Sequence, residues 1–238
     1  MDLTVAITGA TSGIGRAVAE AFVEAGAFVA VSGRDGDAVD RTVEELTDVG
    51  NEAEDDESGT AWGARADVRD EFDLERFFER VAREAGPLDV VLANAAVLHG
   101  APGENPTDET SYADYDDAMR TNARGVFATV SEAVPHLADD ARVIVPSGSV
   151  AHESKAGMGA YAVSKAAAEA VARGFAADLD ATVGVVDPGL VATDLTGMER
   201  ARDPESVAPL FVWAATEAPA EKLNGERIGL REWKQATR

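Results

Sequence analysis

The stretch that most clearly indicates the fold of this chain is Ile7-Thr-Gly-Ala-Thr-Ser-Gly-Ile-Gly-Arg16. A β-branched and apolar run at 4–8 predicts a strand, and apolar residues at three-to-four spacing over 13–25 predict a helix. The glycines between them permit a tight turn, let the backbone approach a pyrophosphate and leave its charge facing the helix N-terminus. Their spacing, G-x-x-x-G-x-G, only partly meets the dinucleotide fingerprint G-x-G-x-x-G. The stretch therefore predicts a strand, turn and helix able to bind a dinucleotide.

The rest of the chain repeats this alternation of strands and helices. Strands are predicted at 4–8, 28–32, 61–66, 90–93, 142–145, 182–186 and 227–230. Helices are predicted at 13–25, 37–49, 71–85, 112–137, 161–179 and 205–216. Several strands are apolar throughout, which is typical of a parallel sheet buried on both faces and joined by right-handed crossovers. We expect an α/β three-layer Rossmann fold with a doubly wound, mostly parallel seven-stranded sheet, in a single domain spanning 1–238.

Composition excludes several kinds of site. The 238 residues include no cysteine, so disulfides, thiolate metal sites and cysteine nucleophiles are ruled out. The three histidines show no metal-ligand spacing, and we expect no catalytic metal. No window approaches the roughly 18 consecutive apolar residues of a membrane span, and the N-terminus has no basic leader. The sequence predicts a soluble, cytoplasmic protein that does not bind membranes.

Charge is unusual as well: 44 acidic against 21 basic residues give a formal net charge of −23. This excess disfavours nucleic acid as a partner. Self-repulsion of this size is tolerated where concentrated salt screens it, and arginine outnumbers lysine, as in proteins of salt-loving archaea. A merely acidic mesophilic enzyme is the alternative. The acidic run at 52–57 is interpreted as part of a solvated surface loop over 50–59.

Tyr161 and Lys165 are four residues apart on one face of a predicted helix. An ammonium near the phenol favours phenolate and would lower a pKa that is ordinarily about 10. Tyr161 could then exchange protons near neutral pH. The Y-x-x-x-K spacing is common by itself, so its meaning depends on the remaining motifs.

Taken together, these motifs resemble the short-chain dehydrogenase/reductase family of NAD(P)-dependent oxidoreductases. The family's T-G-x-x-x-G-I-G turn matches Thr8-Gly-Ala-Thr-Ser-Gly-Ile-Gly15, its active-site Y-x-x-x-K matches Tyr161 and Lys165, and the resemblance runs almost end to end. It implies that cofactor contacts in the turn come from Gly9, Thr11, Ser12, Gly13, Ile14 and Gly15.

Further landmarks follow in the family's order. Asp67 resembles the group that meets the adenine amino group, and Asn122 resembles the helix asparagine that supports the active-site lysine through water. Other cofactor contacts implied by the resemblance are Val68, Asn94, Tyr161, Lys165, Pro188, Gly189, Val191 and Thr193. Taken alone, Asn94 and Asn122 could be turn or helix-end groups, Asp67 a cap, and Pro188-Gly189 an ordinary turn. Tyr161 alone could be a core or interface tyrosine on an alanine-rich helix.

Two positions depart from the family pattern. Ala93-Asn-Ala-Ala96 stands where the family usually has N-N-A-G, and Gly148 holds the commonest position of the catalytic serine. We choose Ser149 as that serine because it aligns with the strand end after one deletion. Ser147 would require an insertion and falls inside the strand, but it remains a possible substitute.

The resemblance implies hydride transfer between a nicotinamide and a carbonyl or alcohol. Tyr161 would exchange the proton, Ser149 would bond the developing oxyanion, Lys165 would hold the ribose and Asn122 would anchor the relay. At the end of the second strand, Gly33 replaces the aspartate of NAD-preferring relatives. Arg34 beside it could bind a 2′-phosphate, so NADP(H) is predicted over NAD(H).

The sequence indicates the substrate less clearly than the cofactor. We expect a small carbonyl or alcohol compound and, from the habit of the family, a homodimer or homotetramer. A different reading is a non-catalytic NADP(H)-binding sensor, although such proteins usually lose the tyrosine or lysine that this chain keeps. An epimerase or dehydratase of the family's extended branch is a weaker alternative, because those chains are normally much longer.

Overall fold

Seven parallel strands form one sheet at the centre of the protein, in the order β3-β2-β1-β4-β5-β6-β7. The computed structural model describes residues 1–52 and 59–238, with only the backbone of Glu52. The strands are β1 Thr4–Thr8, β2 Phe28–Gly33, β3 Thr60–Arg65, β4 Leu88–Leu92, β5 Leu137–Pro146, β6 Thr182–Asp187 and β7 Arg227–Gly229. Every strand pairing is parallel, where a mostly parallel sheet was predicted, and β5 begins five residues earlier than predicted.

Helices cover both faces of this sheet. They are α1 Gly13–Glu24, α2 Gly36–Glu52, α3 Glu71–Ala85, α4 Tyr112–Ala118, α5 Gly125–Ala133, α6 Gly159–Asp178, α7 Pro204–Thr216, α8 Ala220–Leu223 and α9 Leu230–Ala236. Phe22 of α1 and Phe211 of α7 belong to the core on one face. Phe78 of α3 and Ala168 of α6 belong to the core on the other. The three-layer, doubly wound fold expected from the alternating pattern is confirmed.

The long helix predicted at 112–137 is wrong as a single element. The chain runs from α4 through a π-helical turn, Met119–Arg124, into α5, and then through a 3₁₀ turn, Val134–His136. Pro135 lacks an N–H and falls at the start of that last turn, where the helix ends. Leu137 already belongs to β5, whose first residues include exposed aspartates that hide the strand pattern.

The segment between β6 and α7 contains no helix; its two ends are joined by a short backbone bridge. Val191 forms an isolated parallel bridge with Arg202, and the Ala192 N–H donates to the Arg202 carbonyl oxygen at 2.7 Å. The predicted acidic loop at 50–59 is wrong at its start, because residues 50–52 continue the helix α2; residues 53–58 lie outside the described residues. Within 1–52 and 59–238, no helix is long and apolar enough to cross a membrane.

Candidate active site

The glycine turn after β1 is packed so closely that side chains are excluded from it. Gly9 and Gly13 have φ of +64° and +55°, a region that L side chains rarely adopt. A Cβ on Gly15 would lie 2.4 Å from the Asn94 Nδ2 and 2.6 Å from the Gly9 carbonyl oxygen. Ser12 occupies the N-cap of α1, but its side chain accepts no hydrogen bond from the first turn. The first N–H groups of α1 are thus left for another acceptor.

A cleft of about 240 Å³ opens along this turn at the carboxyl ends of the strands. Its lining contains nine of the predicted cofactor residues: Gly9, Thr11, Ser12, Gly13, Ile14, Arg34, Val68, Asn94 and Thr193. The predicted contacts Gly15, Asp67, Pro188, Gly189, Val191, Tyr161 and Lys165 are not part of that lining. The structure therefore brings the turn and the ends of neighbouring strands together at one cleft, to which the segment after β6 contributes Thr193 and Leu195.

Thr121 adds a polar group to the cleft that the sequence did not single out. The residue is only 3% exposed, lines the cleft and lies in the π-helical turn. Its buried hydroxyl has no hydrogen-bond partner among the described residues. A buried hydroxyl without a partner is unfavourable unless something else satisfies it, so Thr121 marks a position where a ligand would gain a hydrogen bond.

The carboxylate of Asp67 is engaged by the protein itself. Arg69 donates to it from Nε at 3.0 Å and from Nη2 at 2.7 Å, and also reaches Asp117 Oδ1 at 3.0 Å. The hydrogen bond from Arg69 holds the pKa of Asp67 below its ordinary value, against the opposing effect of burial. Asp67 is thus a charged anchor for the loop after β3.

The side chains of the two predicted asparagines, Asn94 and Asn122, both form hydrogen bonds with backbone groups. The Asn94 Nδ2 donates to the carbonyl oxygens of Thr8 and Gly9, at 3.1 and 2.8 Å. Asn122 lies in the π-helical turn, where its amide pairs with Val97 through N–H to Oδ1 at 2.7 Å and Nδ2 to carbonyl at 2.8 Å. These bonds fix both sides of the chain that leaves β4. The extra residue of a π turn often occurs at functional sites, and here it turns Asn122 into the interior.

Tyr161 and Lys165 lie on α6, as predicted, but they are not paired in the expected way. The Lys165 Nζ donates to the Pro146 carbonyl oxygen at 2.5 Å. Burial lowers the pKa of Lys165 to about 8, while the nearby Glu169 charge opposes that shift. Burial raises the pKa of Tyr161 to about 12. The expectation that the adjacent ammonium lowers the tyrosine pKa is therefore wrong for this arrangement, because desolvation of the phenol dominates.

The two candidate serines have different surroundings. Ser147 is 9% exposed, and its hydroxyl donates to Glu169 Oε1 at 2.7 Å. Ser149 begins a short 3₁₀ turn after β5, is only half-buried, and accepts a hydrogen bond from the Lys155 ammonium. Ser147 is consequently committed to the interior, whereas Ser149 has the more accessible hydroxyl.

A second cavity, of about 160 Å³, lies against the tyrosine. Tyr161 lines it together with apolar residues that include Leu98 and Met158. Val97 lines both this cavity and the larger cleft, so the two spaces are neighbours. The lining also carries Glu104, Glu109, Asp114 and His99, and within the described part of the chain it includes no lysine or arginine.

Sequence reasoning missed a buried ionic group beside this site. Glu169 is 4% exposed and pairs with Arg227, which no motif indicated. Glu169 follows Lys165 by four residues on α6, so the helical spacing alone could have placed it on the same face. Ser164, which donates to the Tyr161 carbonyl oxygen at 2.8 Å and accepts from Asn122 at 2.9 Å, was missed as well.

Comparison with known proteins extends these observations over most of the chain. A family model described as short chain dehydrogenase matches residues 3–204. Among curated proteins, 7alpha-hydroxysteroid dehydrogenase of Escherichia coli (strain K12) is 33% identical over 193 residues, which span 79% of this chain and 71% of the relative.

Solved structures show the same likeness. A short chain dehydrogenase from Burkholderia cenocepacia J2315 in complex with NADP has a TM-score of 0.82 at 25% identity, over 96% of each chain. A 3-ketoacyl-(acyl-carrier-protein) reductase from Brucella melitensis complexed with NADH also has a TM-score of 0.82, at 21% identity over 96% of each chain. The second likeness is one of fold alone.

Proposed function

The chain belongs to the short chain dehydrogenase family, and on that premise we propose that it interconverts a carbonyl and an alcohol with NADP(H). Its membership makes it an oxidoreductase; the cofactor preference, the catalytic residues and the substrate class are our proposals. The observation that carries the proposal is the position of Tyr161. Its phenol borders a cavity that shares Val97 with the glycine-turn cleft, so a proton donor and a dinucleotide site are neighbours.

The cleft fits a dinucleotide in three respects. Gly9 and Gly13, which have positive φ and no side chains, present only backbone to the cleft, and the start of α1 has free N–H groups for a pyrophosphate. The orphaned hydroxyl of Thr121 offers a hydrogen bond at the cleft wall. Residues that would hold the cofactor are Gly9, Thr11, Ser12, Gly13, Ile14, Arg34, Val68, Asn94 and Thr193.

Preference for NADP(H) follows from the end of β2. Gly33 offers no carboxylate to a ribose diol, and Arg34 lines the same part of the cleft with a guanidinium suited to a phosphate. An aspartate at position 33 would favour the diol and repel the 2′-phosphate. Relatives of known structure include complexes with NADP and with NADH, so the choice depends on these two residues.

In the proposed mechanism, a bound nicotinamide supplies or accepts the hydride. Tyr161 holds the proton that passes to the carbonyl oxygen, and its buried phenol keeps that proton at neutral pH. Lys165 would bind the ribose hydroxyls and stabilise the phenolate once it forms. Asn122 keeps the chain after β4 and the helix α6 in register through its bonds to Val97 and Ser164.

Ser149 is the proposed hydrogen-bond donor to the substrate oxygen. Two observations support it over Ser147. The Ser147 hydroxyl is already donated to Glu169, in the interior. The Ser149 hydroxyl accepts from Lys155, which leaves its own proton available for donation to a substrate.

The cavity beside Tyr161 favours a neutral or cationic substrate. Glu104 and Glu109 are exposed residues of its lining, Asp114 also lines it, and His99 Nδ1 lies 3.6 Å from Asp114 Oδ1. A carboxylate substrate would meet like charge there and would find no lysine or arginine among the described lining residues. We therefore propose an uncharged or amine-bearing carbonyl compound with a short apolar part.

The working environment and the assembly are also proposals. A net charge of −23 supports a cytoplasm rich in salt, where the repulsion between carboxylates is screened. Phe127 on α5 is 53% exposed and its ring lies 5.5 Å from that of Phe175 on α6. The exposed Phe127, beside the partly buried Phe175 of the neighbouring helix, supports a homodimer or homotetramer built through these two helices.

The decisive experiment is NADPH oxidation against a panel of aldehydes, ketones and quinones in concentrated KCl. Wild type should reduce at least one neutral compound, and Tyr161→Phe should lose the turnover while still binding NADPH. The non-catalytic sensor would bind NADPH tightly, reduce nothing and oxidise no alcohol with NADP⁺. That outcome would end the enzymatic proposal.

A further inference from the structure

A buried carboxylate lies directly beneath the proposed catalytic pair. Glu169 follows Lys165 by one helical turn on α6, and its side chain is 5% exposed. A charged group so deeply buried is unfavourable unless it is paired and hydrogen-bonded. The reaction outlined above makes no use of Glu169, so a buried charge at this position requires another reason.

The partners of Glu169 come from elements far apart in the chain. Arg227, the first residue of β7, donates from Nε to Oε1 at 3.2 Å and from Nη2 to Oε2. Ser147 donates to the same Oε1 at 2.7 Å. Glu169 therefore accepts at both oxygens, and its position is determined by α6, β7 and the end of β5 together.

The same group connects to the backbone acceptor of Lys165 and to the turn that carries Ser149. Ser147 immediately follows Pro146, whose carbonyl oxygen accepts from Lys165. Arg227 continues to His152, with Nη1 and Nε2 2.9 Å apart, and the His152 N–H donates to the Ser149 carbonyl oxygen at 3.2 Å. One carboxylate thus braces the acceptor of Lys165 on one side and the serine turn on the other.

We propose that Glu169 is a positioning residue that keeps Lys165 charged and in place, and thereby sets the pH range over which Tyr161 exchanges its proton. For its catalytic consequence this inference rests on the proposed function. Lys165 is buried away from water, so a nearby fixed negative charge is what offsets the loss of solvation of its ammonium. Consistent with that role, the Glu169 charge opposes the lowering of the Lys165 pKa by burial.

Other charged groups on the surrounding elements have to be considered with Glu169. The elements packed around α6 and the serine turn carry Arg227 on β7, His152, Glu153 and Lys155 after β5, Asp139, Asp140 and Arg142 on β5, Asp187 at the end of β6, Asp114, Asp116 and Asp117 on α4, Arg120 and Arg124 in the π-helical turn, Glu132 on α5, and Asp108 and Glu109 in the 3₁₀ turn Thr107–Glu109. Asp187 is bonded to the Gly189 N–H at 2.8 Å, and Lys155 is a second cation, which would lower rather than raise the lysine pKa. Glu169 is the one that shares a buried helix face with Lys165.

A direct titration of Lys165 tests the inference without requiring turnover. The chain has only four lysines, so a protein with ¹³C-labelled lysine gives a simple NMR spectrum, in which Lys165→Met identifies the signal. Glu169→Gln should lower the apparent pKa of Lys165 by about one unit. In alcohol oxidation, the rise of kcat with pH should move up by a similar amount, because an uncharged lysine stabilises phenolate less.

Controls separate the charge from the packing. Ser147→Ala keeps the Glu169–Arg227 pair, and its Lys165 titration should match wild type; an equal shift in this variant would show that charge is not the cause. Glu169→Asp keeps the charge and should restore the lysine value in part. A folded Glu169→Gln protein with an unchanged Lys165 titration overturns the proposal.

Two further outcomes, unfolding of the variant and absence of turnover in wild type, are each covered by a separate measurement. Glu169→Gln leaves Arg227 without its buried partner and is liable to unfold. The double variant Glu169→Gln/Arg227→Gln removes both charges; loss of the Arg227 cation offsets part of the effect, so the Lys165 value should lie between those of Glu169→Gln and wild type. A value in the single variant that equals wild type overturns the proposal. If wild type turns over no substrate at all, the proposed function fails, and the lysine titration alone decides whether Glu169 holds Lys165 charged.

Discussion

Lys165 donates its buried ammonium to the carbonyl oxygen of Pro146, at 2.5 Å. This bond ties the helix α6 to the end of β5, but it satisfies only one of the three donors of the ammonium. Burial accordingly moves the pKa of Lys165 from 10.5 to about 8. The lysine therefore opposes folding wherever it has to be protonated in the interior.

At pH 7 we expect the free energy of unfolding of Lys165→Met to exceed that of wild type by about 1–3 kcal/mol, so that the variant unfolds at a higher denaturant concentration. The unfolded lysine keeps its proton up to 10.5 whereas the folded one loses it near 8, so wild-type stability rises with pH across that window. The advantage of Lys165→Met should shrink as pH increases from 8 to 10.5, in urea titrations at fixed salt. A constant advantage across this range would contradict the depressed lysine pKa. Turnover should fall by about a hundredfold or more.

Arg34 offers a test of cofactor choice. Arg34→Gln should lower kcat/KM for NADPH by about 10- to 100-fold, because a charge-assisted contact to phosphate is lost, and leave the value for NADH nearly unchanged. Arg41→Gln, at an exposed position on α2 outside the cleft, is the matched control. Equal loss with both cofactors would mean that Arg34 serves adenine or the fold rather than the 2′-phosphate.

Glycine substitutions should separate close packing from helix propensity. A Cβ on Gly15 meets the Asn94 amide and the Gly9 carbonyl, so Gly15→Ala should destabilise the protein by about 1–3 kcal/mol and weaken NADPH binding. Gly174 lies on α6 with nothing within 4 Å of the added atom, and Gly174→Ala should stabilise by about 0.5–1 kcal/mol. Thermal unfolding and NADPH fluorescence measure the two effects. Tight NADPH binding by Gly15→Ala would argue against the cofactor role of the turn.

The bonds of Asn122 should be worth more than those of its neighbour Ser164. Asn122→Ala leaves the Val97 N–H and carbonyl oxygen without their partners and should destabilise by about 3 kcal/mol. Ser164→Ala removes one hydroxyl and should lose about 1 kcal/mol. Urea unfolding of both variants decides the order. The reverse order would show that the π-helical turn is held by other contacts.

Substrate charge can be tested at the mouth of the smaller cavity. The double variant Glu104→Gln/Glu109→Gln should raise kcat/KM for a ketone that carries a carboxylate by about fivefold, and leave a neutral ketone unaffected. Asp108→Asn/Asp116→Asn removes two exposed carboxylates of the same segment that do not line the cavity. Screening should abolish the gain in concentrated KCl. A gain that is the same in both double variants would reflect net charge alone.

Local pattern was sufficient for the order of the seven strands and for the turn, but it did not predict the short helices α8 and α9. Three features involve only residues close in sequence: the glycine turn after β1, the apolar strands, and the four-residue interval from Tyr161 to Lys165. The periodicities of strands and helices therefore make these features visible in the sequence. The same reasoning failed over 112–137. There, a helix-compatible stretch changes to a π turn, a 3₁₀ turn and a strand because of packing and of Pro135.

By itself, the sequence determined that this protein is a parallel α/β domain with a dinucleotide-type turn and a tyrosine–lysine pair on one helix face. Only the tertiary structure decided what those side chains do. In the structure, the Lys165 ammonium donates to the Pro146 carbonyl oxygen instead of to the Tyr161 phenol, and Arg69 donates to the Asp67 carboxylate. Arg227 donates to Glu169, which is 58 positions away in the chain. Spacing along a helix determines which residues share a face, whereas burial and hydrogen-bond partners come from distant elements, and these set the charge of a group.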